Sequence, residues 1–292
     1  MLPPMFEPSS LLGNVREIVA EVGAFQLSEW RKRPAGWAEE KSAKDLVSFV
    51  DVESERRLAQ ALGKLAPGSA FYGEEGEKSR GELTWIVDPV DGTTNYVSGL
   101  DWFCISVALY EAGPGGPARP ILGLVHRPAA DEWYWATRGG GAWESRRGHT
   151  QRFGPVAAMS LRRSLVCTGT PYRSPDTAAA FYAAAAAVTA AALDLRRLGS
   201  AALDLCQVAA GRLQAFWEVD LKPYDVAAAL LLLEETGCPI SAIDGSPYDP
   251  FESASIVTGA PGAAEELRVL IAPFYAAAGP GRRGVRPVRY QR

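Results

Sequence analysis

The 292-residue sequence predicts a mixed α and β fold in two halves, with a basic tail. Residues 1–154 read as α+β, residues 155–278 as α/β, and 279–292 as the tail. Three observations predict this. Apolar residues recur at helical spacing near the start. Short β-rich runs alternate with Gly/Pro clusters from 84 to about 152. Beyond 154, strand-like and helix-like segments take turns.

Taken in order, Leu11, Val15, Ile18, Val19, Val22 and Phe25 lie on one face of a helix over 11–30. Leu58, Leu62 and Leu65 mark a second helix over 52–65. The runs "TWIVD", "FCISVALY", "PILGLVH" and "EWYWAT" form a meander of strands, and "TRGGGAWES" is a turn into a further short strand. "SLVCTGT" opens the second half as a strand. The alanine-rich stretch 175–193 follows as a helix, since alanine has the strongest helix propensity. "DLRRLGSAALDLCQVAAG" is a loop and then a helix closed by Gly211. "LQAFWEV" is a strand. "KPYDVAAALLLLEETGC" is a helix with Pro223 early and Gly237 at its end. "SIVTGA" is the last strand and "AAEELRVLIAPF" the last helix. The tail reads as a frayed terminus.

Bulk properties narrow the function. A net charge of −4 gives no electrostatic case for nucleic-acid or membrane-surface binding. The apolar runs 226–233 and 178–193 fall short of the roughly 20 residues that a membrane-spanning helix needs. "MLPPMFEPSS" lacks the pattern of a secretory signal. Cys104, Cys167, Cys206 and Cys238 are widely spaced, with no Cys/His cluster, so they read as reduced, packed thiols of a cytoplasmic protein.

The chemistry lies in the acids. In "WIVDPVDGTTN", Asp88 and Asp91 follow the apolar run 85–87, with Pro89 fixing a backbone angle between them. Gly92 allows close approach of a ligand, and Thr93 and Thr94 can open a helix whose N–H groups face an anion. Two close carboxylates repel unless a cation lies between them, and oxygen ligands suit Mg²⁺, Mn²⁺ or Ca²⁺. Alone, the pair reads more readily as an Asp-rich turn. Glu74 and Glu75 in "FYGEEGE" read alone as a solvated loop, Asp51 as the N-cap of the 52–65 helix, and Asp225 as a first-turn acid favoured by the helix dipole. What joins them is that each occurs at the end of an element.

"WIVDPVDGTTNYVSG" resembles the W-I-x-D-P-x-D-G-T-x-N signature of the inositol monophosphatase family, and "WEVDLKPYDVAAALLLLEETG" resembles its second signature. "GEE" and "DLVSFVD" are similar to the two remaining metal-site segments, and "RRLGSAALDLCQVAAG" to the substrate-side segment, over residues 11–272 in all. The resemblance implies a layered α-β-α-β-α sandwich of the inositol monophosphatase / fructose-1,6-bisphosphatase type. It implies a Mg²⁺-dependent, lithium-sensitive phosphomonoesterase holding two to three ions, with Mn²⁺ as an alternative. The implied metal ligands are Glu74, Asp88, the Val90 carbonyl, Asp91 and Asp225, with Asp88 bridging and Glu75 supporting the set. Asp51, Glu74 and Thr93 are the implied catalytic groups, with Thr93 orienting a metal-activated water. Gly92, Thr93 and Thr94 would receive phosphate, and Gly199, Ser200, Ala201 and Glu218 would contact the substrate.

The chain departs from the family pattern at Tyr224 (usually tryptophan), in "ETGC" for "EAGG", at Thr258 (often asparagine), and before Asp51, where the segment is one residue short and shifts Lys41 against the family's lysine. None of these removes an implied metal ligand. The expected reaction is hydrolysis of inositol monophosphate or a similar polyol phosphate by a cytoplasmic homodimer that binds neither nucleic acid nor membrane. The alternatives are histidinol phosphate, fructose 1,6-bisphosphate or a 3′-phosphoadenosine nucleotide, or a non-catalytic regulatory protein of the same fold.

Overall fold

The computed structural model describes residues 8–32, 39–42, 45–47, 49–76, 78–113 and 116–277. In chain order the elements are α1 (Pro8–Lys32), β1 (Glu39–Ser42), β2 (Asp45–Val47), α2 (Phe49–Leu65), β3 (Ala70–Gly73), β4 (Leu83–Asp91) and α3 (Thr93–Ser98). There follow β5 (Cys104–Gly113), β6 (Gly116–Arg127), β7 (Glu132–Thr137), β8 (Gly141–Arg146), β9 (His149–Arg152), β10 (Leu165–Thr168), α4 (Ala178–Ala191) and β11 (Asp194–Arg196). The chain continues through α5 (Ala201–Ala209), β12 (Ala215–Val219), α6 (Pro223–Glu235), β13 (Ile240–Ser241), β14 (Ser255–Gly259) and α7 (Ala263–Ala277).

Two sheets stack with helices between and outside them. The seven-stranded sheet runs β3-β4-β5-β6-β7-β8-β9, antiparallel except for the parallel pair β3–β4. The five-stranded sheet runs β11-β10-β12-β14-β13, its first three strands parallel. Strand periodicity decides what each face buries. Trp85, Val87, Ile105, Val107, Leu122 and Leu124 pack under Leu11, Val15, Val19, Leu58 and Leu62 of α1 and α2. The alternate residues Ile86, Ala108 and Val125 face α5 and α6, which also cover Cys167, Phe216 and Ile256 of the second sheet. Val166, Ala215, Trp217 and Val257 point outward to α4 and α7. The layers are therefore α1/α2, sheet, α5/α6, sheet, α4/α7.

The central layer explains the unbroken apolar run in α6. A helix covered on both sides needs no polar face, and every α6 residue from Pro223 to Leu233 is buried. Gly123 in β6 lets α6 close in, because a Cβ there would collide with the Ala228 backbone.

Several elements differ from the sequence-based expectation. The helix expected over 52–65 begins at Phe49, so Asp51 lies in its first turn and is not its N-cap. The expected strand over 85–87 continues through both aspartates to Asp91. The helix expected over 175–193 is a 3-10 turn over Pro175–Thr177 followed by α4. The hairpin β1–β2 and strands β11 and β13 are two to four residues long, too short for a period to register. The side chain of Lys41 and the tail at 279–292 lie outside the described residues. Among the described residues, no helix is long and apolar enough to cross a membrane.

Candidate active site

The element ends β3, β4 and β12 and the starts of α3, α5 and α6 meet at one place. β4 reaches it through a bulge. Asp88 pairs with Ser106 and Asp91 with Cys104, so three steps on β4 oppose two on β5. In a regular strand, residues three apart face opposite sides; one extra residue turns them to the same side. Pro89 fits because a bulge needs no ladder N–H from it. Its carbonyl accepts from Gln26 Nε2 at 2.7 Å, which ties the bulge to α1.

Asp91 is buried and well furnished with donors. Its Oδ2 accepts from Ser200 Oγ at 2.6 Å and from the Ala202 N–H at 2.7 Å, the N-cap and the first turn of α5. Asp88 Oδ1 accepts the Val90 N–H at 3.0 Å. Asp225, in the first turn of α6, accepts the Lys222 N–H at 2.6 Å. One carboxylate oxygen from each of Asp88, Asp91 and Asp225 lies within 4.8 Å of the others, and all three residues are buried.

Glu74 stands beside them. Arg173, in the turn after β10, donates to Asp225 Oδ2 at 3.0 Å and reaches Glu74 Oε1 at 3.5 Å. The 73–76 loop that carries Glu74 folds around Glu55, one helical turn beyond Asp51 on α2. Glu55 Oε2 accepts the Glu75 N–H at 2.8 Å, and a Cβ on Gly73 would collide with the Glu55 carboxylate.

On the other side, Thr93 Oγ1 lies 3.0 Å from the Val90 carbonyl and 3.5 Å from Asp51 Oδ1. Gly92 has φ 97° and leaves no room for a side chain: a Cβ would meet the Trp102 carbonyl at 2.9 Å and the Gly199 carbonyl at 3.2 Å. Asn95 Nδ2 pins the same corner by donating to the Trp102 carbonyl at 2.7 Å and the Leu198 carbonyl at 3.0 Å. Glu218 lies at the end of β12 against Gly169, where a Cβ would strike its carboxylate.

Burial and mutual repulsion shape the charges. The Glu74 carboxyl is pushed up to about 8, by burial first and then by Asp225. Asp91 is pushed up to about 7 by burial and Asp225, against the bonds from Ser200 and Ala202. Asp88 is driven well above the ordinary carboxylate range by burial, Glu74 and Asp91. Burial likewise raises Glu218, with Asp225 adding to it. Carboxylates arranged to repel one another in a buried space form a hard-oxygen donor set, which fits Mg²⁺ or Mn²⁺.

The model of the Inositol monophosphatase family matches residues 8–275. The chain belongs to the inositol monophosphatase family. It is 40% identical over 235 residues to the inositol-1-monophosphatase of Rhizobium meliloti, covering 79% of this chain and 84% of that protein. It is 36% identical over 227 residues to the Nus factor SuhB of Pseudomonas aeruginosa, covering 75% and 80%. The crystal structure of the extragenic suppressor protein suhB from Bartonella henselae superposes with a TM-score of 0.81 at 29% identity, covering 90% of this chain and 98% of that one. The α-β-α-β-α layering is thus the fold of the family.

Of the sequence-expected residues, Asp51, Glu74, Asp88, Val90, Asp91, Thr93 and Asp225 gather at this one place. Ser200 lies there with its hydroxyl committed to Asp91. The expected Gly199 and Ala201 flank Ser200, and Gly199 has φ 97°. Glu75 joins Glu55 through its backbone. Sequence reasoning missed Arg173, Glu55 and Asn95. Asn95 lay inside the quoted signature, whereas Arg173 and Glu55 carry no local signal and become visible only through what they touch.

Proposed function

We propose that this protein hydrolyses inositol monophosphate, or a similar polyol phosphate, to the free polyol and inorganic phosphate in a Mg²⁺-dependent reaction. The observation that carries the reading is the convergence of Asp88, Asp91 and Asp225 within 4.8 Å, three buried acids from two distant segments. Glu74 and the Val90 carbonyl complete the set proposed to hold the ions. Bound divalent cations supply Lewis acidity and lower the pKa of a coordinated water.

The chain's own groups do the rest. Thr93 has one hydroxyl proton to give and two lone pairs to receive with. With that proton directed to Val90 or Asp51, its oxygen accepts from the attacking water and orients it, and Asp51 takes up the proton. The backbone amides of Gly92, Thr93 and Thr94 receive the phosphate oxygens. Gly199, Ser200 and Ala201 form the facing wall of the substrate site. Glu218, an acceptor at the end of β12, takes hydrogen bonds from vicinal hydroxyls, which favours a polyol over a phosphate lacking them. Lithium inhibition, a homodimer and a cytoplasmic setting belong to the same proposal.

Phosphate release from a panel of inositol 1-phosphate, histidinol phosphate, fructose 1,6-bisphosphate and 3′-phosphoadenosine compounds, with Mg²⁺ and with EDTA, tests it. The expected result is the highest kcat/KM on the inositol phosphate and none in EDTA. A far higher kcat/KM on histidinol phosphate overturns the substrate. A second reading is favoured by the relative named Nus factor SuhB: a regulatory role through a partner. Partner binding that survives Asp88→Asn supports that role.

A further inference from the structure

The acidic cluster already has a cation of its own. Arg173 reaches it from the turn between β10 and α4, and that turn is built rather than loose. Ser174 Oγ donates to Asp220 Oδ2 at 2.5 Å, and the Ser174 N–H to the Pro171 carbonyl at 3.2 Å. The Thr177 N–H and hydroxyl both return to the Ser174 carbonyl, at 2.9 and 2.8 Å. Tyr172 lies under the guanidinium, 5.0 Å from ring centre to Cζ. The Arg173 side chain is 22% exposed.

Its two partners come from different parts of the molecule. Asp225 opens α6 and Glu74 follows β3, and the proposed function assigns both to divalent cations. One guanidinium thus offsets part of the repulsion between two carboxylates, since opposite charge within about 4–6 Å favours the ionised form. The same charge opposes a dication brought to the same oxygens. A guanidinium gives two directed N–H bonds but a single positive charge, whereas a divalent ion offers double that charge at shorter range. The two compete for the same carboxylates, with the advantage to the metal once its concentration suffices.

We propose that Arg173 is a resident counter-cation of the site. It holds Asp225 and Glu74 together and yields to an incoming divalent ion, so that it sets the metal concentration at which the site fills. This rests on the reading of the cluster as a metal site.

The test is metal binding without substrate. Metal-stripped wild type, R173Q, R173M, R173K and D88N are titrated with Mn²⁺ by calorimetry, with electron paramagnetic resonance counting free ion. Competition between two ligands is a reciprocal coupling. Removing the charge in R173Q or R173M should therefore tighten the Mn²⁺ Kd by about fivefold or more, while R173K stays near wild type. R173M keeps the test open if R173Q fails to fold, as judged by circular dichroism. Wild-type binding that disappears in D88N upholds the metal site by itself. With that in hand, an unchanged or weaker Kd in the charge-removed variants overturns the counter-cation role alone. Absence of Mn²⁺ binding in wild type and variants overturns both.

Discussion

Asp91 and Asp225 face the same few ångströms of space, and each accepts a backbone N–H from a helix start, but their remaining partners differ in charge. Asp91 sits on a bulged strand in the middle of a sheet and accepts from a hydroxyl and a backbone amide of α5. Asp225 sits at a helix start, accepts the Lys222 N–H there, and also shares the Arg173 guanidinium with Glu74. The first arrangement is a pair of hydrogen bonds from neutral donors. The second is ionic and open to exchange. One side of the site is therefore preorganised, and the other is set by whichever cation is present. Each expected outcome below breaks or sharpens that division.

The largest effect is expected on the fixed side. Asp88→Asn should lower phosphate release by more than the ~10–100-fold that disturbing a residue which merely orients a ligand costs. The fold should survive, and thermal melting in EDTA should be unchanged or raised, because a buried, repelled charge has been removed. A melting temperature several degrees lower means that Asp88 is structural.

Ser200→Ala comes next. Asp91 loses its 2.6 Å donor, and Mn²⁺ affinity should weaken by about 10–100-fold. Glu218→Gln is the matched control. It should leave the Mn²⁺ affinity alone and raise KM for the polyol phosphate by about 2- to 10-fold, the worth of one hydrogen bond. If both variants change metal affinity equally, Glu218 is not confined to the substrate.

Glu55→Gln should weaken metal binding by about 10-fold, because the carboxylate that gathers the Glu74 loop becomes a poorer acceptor. Glu55→Asp, shorter by one carbon but still charged, should recover part of it. Isothermal titration of both distinguishes loop positioning from loss of fold.

A separate effect falls on stability against pH. Glu74 and Asp91 have folded-state values raised to about 8 and about 7, against about 4 in an unfolded chain. The folded protein then holds protons that the unfolded chain has released. Their contribution to stability is full below pH ~4 and is lost as pH rises through about 7 to 8. Melting temperature in EDTA should fall between pH 5 and about 8, and saturating Mg²⁺ should flatten the profile. A rising profile in EDTA contradicts the burial and repulsion assigned to these acids.

Most of this was legible in the chain, but unevenly. "WIVDPVDGTTN" announced two acids and a close-approach glycine, and the α6 pattern announced its own helix, because both signals are local. The bulge was not legible: nothing in the spacing says that Asp88 and Asp91 turn to one side, since that depends on pairing with β5. Asp51 looked like a helix cap because its helix starts at Phe49, three residues before the expected start at 52. Arg173 was invisible for a plainer reason. An arginine in a turn reads as solvated surface until the chain places Asp225 and Glu74 beside it.

The contact from Ala202 to Asp91 joins residues 111 apart in sequence. Closing so long a loop is slow, and contacts of this kind form late in folding. The site therefore comes into existence only after both sheets and the helix pair between them have found one another. During refolding, the chain's capacity to capture a divalent ion should appear as the last signal, after secondary structure and compaction, and so it times the completion of the whole molecule.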